Sequence, residues 1–299
     1  MFKQPLTFFN HFQVTDAQKR QYAFHDSAMA GIRHLVLTNE FFSAFLTNLN
    51  LIPPVKDELA KEGLDFVDSH AVFGLYNDLN CPSQELFPAM LEMHKMEMEI
   101  CAMFGVKTIC IHVGNNAWPK KGGAYEPAPD AEISHCIDRA KRALDALLPV
   151  AERLGMIICI ENVWHETNTP ERLLEIKKAF PTDALGFCYD SGHAHLMRKD
   201  RGNEECSPRK VWSAIGKPVP WDENILDKML EHVVICHLHG NNGISDLHRL
   251  PDESDIDWKD ICEKLHRAPR LYSLQSEVIP YGCCRSLDEI VKSFERVLA

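Results

Sequence analysis

The sequence predicts a (β/α)8 barrel, the TIM-barrel architecture, on three observations. Eight short apolar runs punctuate the chain, each followed by a polar loop and a helical pattern, and such an alternation builds a parallel sheet covered by helices. The length of 299 residues accommodates a barrel of roughly 250 residues with insertions. The competing open, doubly wound sheet would carry a glycine-rich phosphate loop after an early strand, and neither G-x-G-x-x-G nor G-x-x-x-x-G-K-[ST] occurs. The whole chain, 1–299, is read as one such barrel.

Strands are expected at 6–9, 34–37, 64–67, 108–113, 156–160, 184–189, 232–238 and 271–278. Between them, residues 131–155 space Ile133, Ile137, Ala140, Leu144, Leu147, Ala151 and Leu154 three or four apart, which is a helix with one buried face. Residues 83–104 repeat Met90, Met93, Met96, Ile100 and Met103, a stripe expected to pack in the core. Thr169-Pro170-Glu171 and the capping box Ser286-x-x-Glu289 mark two helix starts. Gly63, Gly105 and Gly155 stand where helix C-caps belong.

Composition narrows the function classes. The chain is 45% hydrophobic and 25% charged, with a net charge of −11. That acidity opposes broad contact with nucleic-acid phosphates or anionic membrane, so neither is an expected partner. No run of 18 apolar residues offers a membrane-spanning helix, and the first twenty residues lack the apolar core of a signal peptide. Eleven cysteines include no Cys-x-x-Cys, and Cys110, Cys159, Cys188 and Cys236 lie inside apolar runs. They read as buried free thiols of a cytoplasmic protein, and Cys283-Cys284 as two ordinary thiols.

A barrel of this kind collects its active groups at the carboxyl ends of its strands. There the sequence places His70, His112, Glu161, Asp190 with His193, His239 with Asp246 and His248, and Glu277. Six consecutive strands, the third to the eighth, each end in an imidazole or a carboxylate. Clustered carboxylates repel one another unless a cation neutralises them. Mixed imidazole and carboxylate donors suit Mn2+, Zn2+ or Fe2+, whereas Ca2+ takes oxygen ligands. His239 is expected among the ligands. His237, two residues earlier on the same face, is expected one layer deeper, as a partner or as barrel filler.

The segments IENVW, CYDSGH, HLHGNNGISDLH and LQSEVIPYG, with His70 and His112 upstream, resemble the xylose isomerase-like TIM-barrel superfamily. That superfamily includes sugar-phosphate isomerase/epimerase-like proteins, ketose 3-epimerases and the endonuclease IV branch. The resemblance covers essentially the whole chain. In the epimerase branch the matching positions imply a metal held by Glu161, Asp190, His239 and Glu277, with His193 on substrate hydroxyls. In the nuclease branch the nine ligands of a trinuclear zinc site have counterparts in His70, His112, Glu161, Asp190, His193, His239, Asp246, His248 and Glu277.

Departures from the nuclease pattern favour the sugar chemistry. His112-Val113-Gly114 replaces His-Pro-Gly, Glu161-Asn162-Val163-Trp164-His165 replaces Glu-Asn-Thr-Ala-Gly, and Pro251-Asp252-Glu253-Ser254 replaces a Gly-x-Gly turn, a change that departs from many isomerase-like relatives as well. Gly240 stands where many relatives carry leucine or aspartate, an exchange expected to open space beside the metal. Positive charge gathers only at Arg198-Lys199-Asp200-Arg201 and Lys120-Lys121, read as solvated runs. The resemblance thus implies a divalent-metal-dependent sugar or sugar-phosphate isomerase/epimerase, in which Glu161 and Glu277 exchange a proton with substrate through a metal-stabilised ene-diolate. His112 and His193 would orient hydroxyls. An endonuclease IV-like phosphodiesterase with a trinuclear zinc site is the alternative, and a lyase, a hydrolase or a non-catalytic relative stays open. Loop 115–127 with Trp118 and loop 197–222 with Trp212 and Trp221 are expected as pocket walls and a lid, or as loops pinned by their tryptophans. Relatives are often dimers or tetramers, so a homo-oligomer is implied without a legible interface.

Overall fold

The computed structural model describes residues 2–9, 14–121, 124–199 and 205–299. Its strands are β1 (Leu6–Phe8), β2 (His34–Leu37), β3 (Asp65–Ser69), β4 (Thr108–Cys110), β5 (Ala117–Pro119), β6 (Tyr125–Pro127), β7 (Ile157–Glu161), β8 (Leu185–Asp190), β9 (Val233–Leu238) and β10 (Ser273–Ser276). Eight of them form one parallel sheet in the order β3-β2-β1-β10-β9-β8-β7-β4. The two ends of that order meet at a parallel bridge between His70 and Cys110, where the Ala71 amide donates to the Cys110 carbonyl at 2.9 Å. The result is a (β/α)8 TIM barrel, nearly closed by strand pairing alone. All eight expected apolar runs supply its strands. β3 runs past its expected end because Asp68 and Ser69, though polar, are buried. Asp68 accepts hydrogen bonds from Ser273 at 2.6 Å and Thr7 at 3.0 Å, and Ser69 donates to the Thr108 carbonyl at 2.7 Å.

The helix Ile133–Leu154 buries Ile137, Ala140, Leu144, Leu147 and Ala151 as its spacing predicts, and Gly155 ends it at φ 63°. Burial of each large aliphatic side chain there is worth about 1.5–3 kcal/mol. Gly63 and Gly105 cap their helices in the same left-handed conformation, and Ser286 and Glu289 form the expected capping box. The methionine stripe packs in the core only in part. The helix is Phe87–Phe104, and its inner face runs through Phe87, Met90, His94, Glu97, Met98, Ile100 and Cys101, while Met96 and Met103 are exposed. Two polar residues hold that face because they satisfy each other. His94 Nδ1 lies 2.6 Å from Glu97 Oε2, His94 Nε2 lies 2.7 Å from the Asn77 carbonyl, and Glu97 Oε1 accepts the Val72 amide at 2.8 Å. The buried pair thereby anchors the loop after β3.

Side chains alternate along a strand, and here the alternation separates two environments. Ile109, Ile158, Ile160, Leu185 and Phe187 join the large apolar core, whereas Cys110, Cys159 and Cys188 gather with Val234 and Ile235 in a separate small cluster. Two residues beyond those three thiols come His112, Glu161 and Asp190. On each strand the same face that carries a small thiol therefore carries a functional group one step nearer the carboxyl end. Every described cysteine is a free thiol. Among the described residues, no helix is long and apolar enough to cross a membrane.

Candidate metal centre

The barrel mouth brings all nine candidate residues, and His237 with them, into one network, buried except at His112, Asp246 and His248, which are half-buried. Glu161, the last residue of β7, is 1% exposed and stands at its centre. Its Oε1 lies 3.2 Å from His237 Nδ1 and 3.2 Å from His193 Nδ1, and its Oε2 lies 3.1 Å from His112 Nε2 and 3.5 Å from the Cys110 thiol. Asp190 ends β8 and caps the next helix, its side chain accepting the His193 amide at 2.6 Å while Oδ2 faces His239 Nε2 at 3.2 Å. Asp246 Oδ2 lies 3.0 Å from His248 Nε2 and 3.5 Å from His193 Nε2. Glu277 Oε1 lies 3.4 Å from His237 Nδ1, and its Oε2 lies 3.6 Å from His248 Nδ1 and 3.9 Å from His239 Nε2. His70 turns Nδ1 to the Ala71 carbonyl at 2.9 Å and sets its ring 5.0 Å from His112 and 5.5 Å from His237.

Local backbone chemistry places these groups. Gly192 follows Asp190-Ser191, and a Cβ there would lie 2.0 Å from His239 Cε1. Glycine at that position is what admits the imidazole. Gly240 has a different reason from the expected one. A Cβ on it would lie 2.5 Å from the Leu250 carbonyl oxygen and 3.0 Å from Ser254 Cβ. Its small size brings loop 249–254 close, with reciprocal 2.8 Å backbone bonds to Arg249, and opens no space beside the site. That loop is bolted down by Trp258, whose indole donates to the Pro251 carbonyl at 2.8 Å, and by Asp252, which pairs with Ser293 and Arg296.

Among the described residues, donors form four compact groups, each with its ligand atoms within 4.8 Å of one another: His70, Cys110, Glu161 and His237; Asp190, His193 and His239; His239, Asp246 and His248; and Asp190, His237 and Glu277, with His112 in none of them. The expected quartet of Glu161, Asp190, His239 and Glu277 is thus divided among overlapping groups. His237, expected one layer deeper as a partner or as barrel filler, links Glu161 to Glu277.

The donor set fits a divalent cation. Among the described residues, Glu161, Asp190, Asp246 and Glu277 form ion pairs only with imidazoles, and none meets a lysine or arginine. Asp246 Oδ1, His237 Nε2 and His239 Nδ1 are buried with no hydrogen-bond partner, an arrangement that costs free energy unless something accepts their lone pairs. Electrostatics tells the same story. Burial alone would raise the Glu161 carboxyl, but His237, His112 and His193 overcome it and hold the group well below the usual carboxylate range. Asp246 is held well below likewise, by His248 and His193 against burial. Glu277 goes the other way, pushed up by burial that His237 and His248 do not cancel. In return His112 is raised to about 9 and His248 to about 10, burial opposing and the carboxylates winning. His70 is pushed down to about 3 by burial and by His112 and His237.

A cavity of about 450 Å³ opens onto this network, within the range of small-molecule sites. Phe9, Phe73, Trp118 and Trp164 wall it, and Asn39 and Glu40 after β2 line its far side. His165 lines it too, kept neutral by burial and by His193 and His112, which push it down to about 3. Of the expected aromatic walls, Trp118 lines the cavity from the β5–β6 hairpin. Trp212 is a pin, buried against Ala117 and Val211, with its indole donating to the Trp164 carbonyl at 2.8 Å. Trp221 lies under Arg209, 5.9 Å from its guanidinium, and does not line the cavity. Lys120 pairs with Glu126 at 3.4 Å across the hairpin, as a solvated charge does, while Asp200 and Arg201 lie outside the described residues.

Residues 44–274 match the family described as xylose isomerase-like TIM barrel. A probable endonuclease 4 of Thermotoga sp. strain RQ2 is 28% identical over 143 residues, 46% of this chain and 45% of that protein. The chain spans only 40–50% of the length of the curated relatives it matches first. Among solved structures, a D-tagatose 3-epimerase-like protein superposes with a TM-score of 0.68 at 19% identity, covering 98% of each chain. The IolI protein with a bound zinc atom superposes with a TM-score of 0.66 at 15% identity, covering 98% of this chain and 96% of that one. At these identities both likenesses concern the fold.

Proposed function

Because this chain belongs to the xylose isomerase-like TIM-barrel family, we propose that it is a divalent-metal-dependent sugar or sugar-phosphate isomerase or epimerase that works by proton transfer between substrate carbon and two carboxyls, Glu161 and Glu277. The observation that carries this reading is the pairing of those carboxyls about one imidazole, 3.2 Å and 3.4 Å from His237 Nδ1, at the floor of a sugar-sized cavity. Their surroundings push them apart, one strongly acidic and one raised, which is how a site divides the roles of base and acid.

Glu161, Asp190, His239 and Glu277 would hold the ion, with His237 as a further donor. A bound divalent ion would supply charge stabilisation to the carbonyl oxygen as negative charge develops there. Glu161 takes the proton beside the carbonyl, and Glu277 delivers one from the opposite face. Each carboxylate keeps one oxygen for substrate. His112 and His193, both on Glu161, orient it and the substrate hydroxyls. Phe73, Trp118 and Trp164 pack on the C–H faces of the sugar and keep water from the exchanging proton. The fold likeness to a D-tagatose 3-epimerase-like protein supports a sugar substrate.

Phosphodiester hydrolysis is a second reading, favoured by the group His239, Asp246 and His248 at the outer edge of the network and by the match to probable endonuclease 4. One experiment separates the two. Metal-loaded protein is incubated in D2O with a panel of ketohexoses, ketopentoses and their phosphates, and separately with duplex DNA bearing an abasic site. Deuterium appearing beside the carbonyl supports the sugar reading. Strand cleavage with no exchange in any sugar overturns it.

A further inference from the structure

Beneath the carboxylates, Cys110 has no role in that reading, yet its environment is that of a ligand. It lies at the end of β4 where the sheet closes, its backbone bridged to His70. Its sulfur is 3.5 Å from Glu161 Oε2, and ligand atoms of His70, Cys110, Glu161 and His237 all lie within 4.8 Å of one another. All four residues are buried, His237 completely, and His237 Nε2 finds no hydrogen-bond partner. His70 commits only Nδ1 to the backbone, at 2.9 Å from Ala71 O, which leaves Nε2 for a ligand. Two imidazoles, a carboxylate and a thiol within 4.8 Å of one another make a donor set that a borderline-soft ion prefers over Mg2+ or Ca2+.

We propose that Cys110 supplies a thiolate to a cation bound at the floor of the barrel mouth by His70, Glu161 and His237, a sulfur-containing position that selects Zn2+ over hard divalent ions. This rests on the reading of the network as a metal centre and adds to it a ligand that the epimerase and nuclease patterns do not contain. On binding, the thiol releases its proton to solvent and the sulfur lone pair takes its place on the ion. The small thiol is suited to the position. Cys159 and Cys188 occupy the same interior layer on the neighbouring strands, so no bulky side chain crowds the floor.

The test is spectroscopic and uses the full-length protein. Metal-stripped wild type is titrated with Co2+, then with Zn2+, and the zinc form is measured by X-ray absorption. The expected results are a sulfur-to-cobalt charge-transfer band in the near ultraviolet and zinc–sulfur scattering at about 2.3 Å. Cys110→Ser should abolish both and weaken Zn2+ binding by about 100-fold or more, beyond what loss of an outer partner costs. Cys188→Ser and Cys284→Ser should leave both in place. Serine keeps a hydrogen bond to Glu161, so a merely structural thiol would leave Zn2+ affinity nearly unchanged in Cys110→Ser, which overturns the proposal. Metal bound with nitrogen and oxygen scattering alone overturns the thiolate and leaves the metal centre standing. Failure to bind Co2+ or Zn2+ at all overturns both.

Discussion

The His239 ring occupies the space that a side chain on Gly192 would need, with its Cε1 atom 2.0 Å from where a Cβ would stand. A single missing methyl thus determines whether the imidazole reaches Asp190 Oδ2 at 3.2 Å. Gly192→Ala should displace the ring, cost about 1–3 kcal/mol of stability as overpacking does, and weaken Zn2+ binding. Calorimetric titration with Zn2+ alongside thermal unfolding checks this. Unchanged affinity in a stably folded variant would remove His239 from the centre.

The two carboxyls should separate kinetically. Glu161→Gln should lower turnover by about 10²–10⁴-fold, the usual contribution of a positioned base, and should also stop wash-in of solvent deuterium. Glu277→Gln should lose the overall conversion to a similar extent while retaining wash-in, because Glu161 still removes a proton and returns it to the same face. Nuclear magnetic resonance of the recovered sugar distinguishes the two patterns. Wash-in surviving in Glu161→Gln but not in Glu277→Gln would exchange the roles.

Metal binding and pH are linked through the imidazoles. Burial lowers His112 and His248, but Glu161 and Asp78 in one case, and Asp246 and Glu277 in the other, raise them from 6.5 to about 9 and about 10. A folded-state value above the unfolded one stabilises the metal-free fold fully below pH 6.5, and that contribution is lost as pH climbs through about 9 and 10. A cation held by Glu161 and Glu277 competes with these protonated imidazoles for the same carboxylates, so Zn2+ affinity should rise over the same window. The chelated protein should lose melting temperature between pH 7 and pH 10, and the zinc-loaded protein should lose much less. Parallel pH profiles for the two forms would contradict the linkage.

The buried pair His94–Glu97, 2.6 Å apart and fully enclosed, holds the loop that carries Phe73 into the cavity. Removing one member of such a pair costs about 3–5 kcal/mol. Glu97→Ala should therefore lower the melting temperature and also speed amide exchange at Val72, whose N–H the Glu97 carboxylate accepts at 2.8 Å. Destabilisation with unchanged exchange at Val72 would show that the pair supports only its own helix.

Much of this architecture is legible in the sequence because one physical signal, the short apolar run, marks each barrel strand without ambiguity. Ile157–Glu161 and Val233–Leu238 are bounded to within a residue or two by where apolarity begins. The β5–β6 hairpin escapes that signal, since Ala117–Pro119 and Tyr125–Pro127 are three-residue strands carrying prolines. The methionine stripe misled because periodicity credits apolar residues, while the inner face of that helix is held by a polar pair that only tertiary contact satisfies. At the site, residues that end strands were identified by chemistry and position. His237 is legible only as a deeper partner or barrel filler and Cys110 only as a buried thiol, because a residue inside an apolar run reads as core. A signal was nevertheless present. Cys-Ile-His starts on the last residue of β4, Cys-Ile-Glu and Cys-Tyr-Asp close β7 and β8, and a thiol two residues before each of these three functional groups marks a shared interior layer.

Glu161, Asp190, His239 and Glu277, at the carboxyl ends of four strands, are proposed to hold one cation together. Anomalous diffraction at the zinc edge from crystals of the zinc-loaded protein tests it most directly. A shared ion gives a peak within the barrel mouth, about 2.0–2.2 Å from nitrogen and carboxylate oxygen donors of those residues. A fully zinc-loaded crystal whose anomalous density lies only at exposed thiols such as Cys284, with the four side chains paired as they are here, would contradict it.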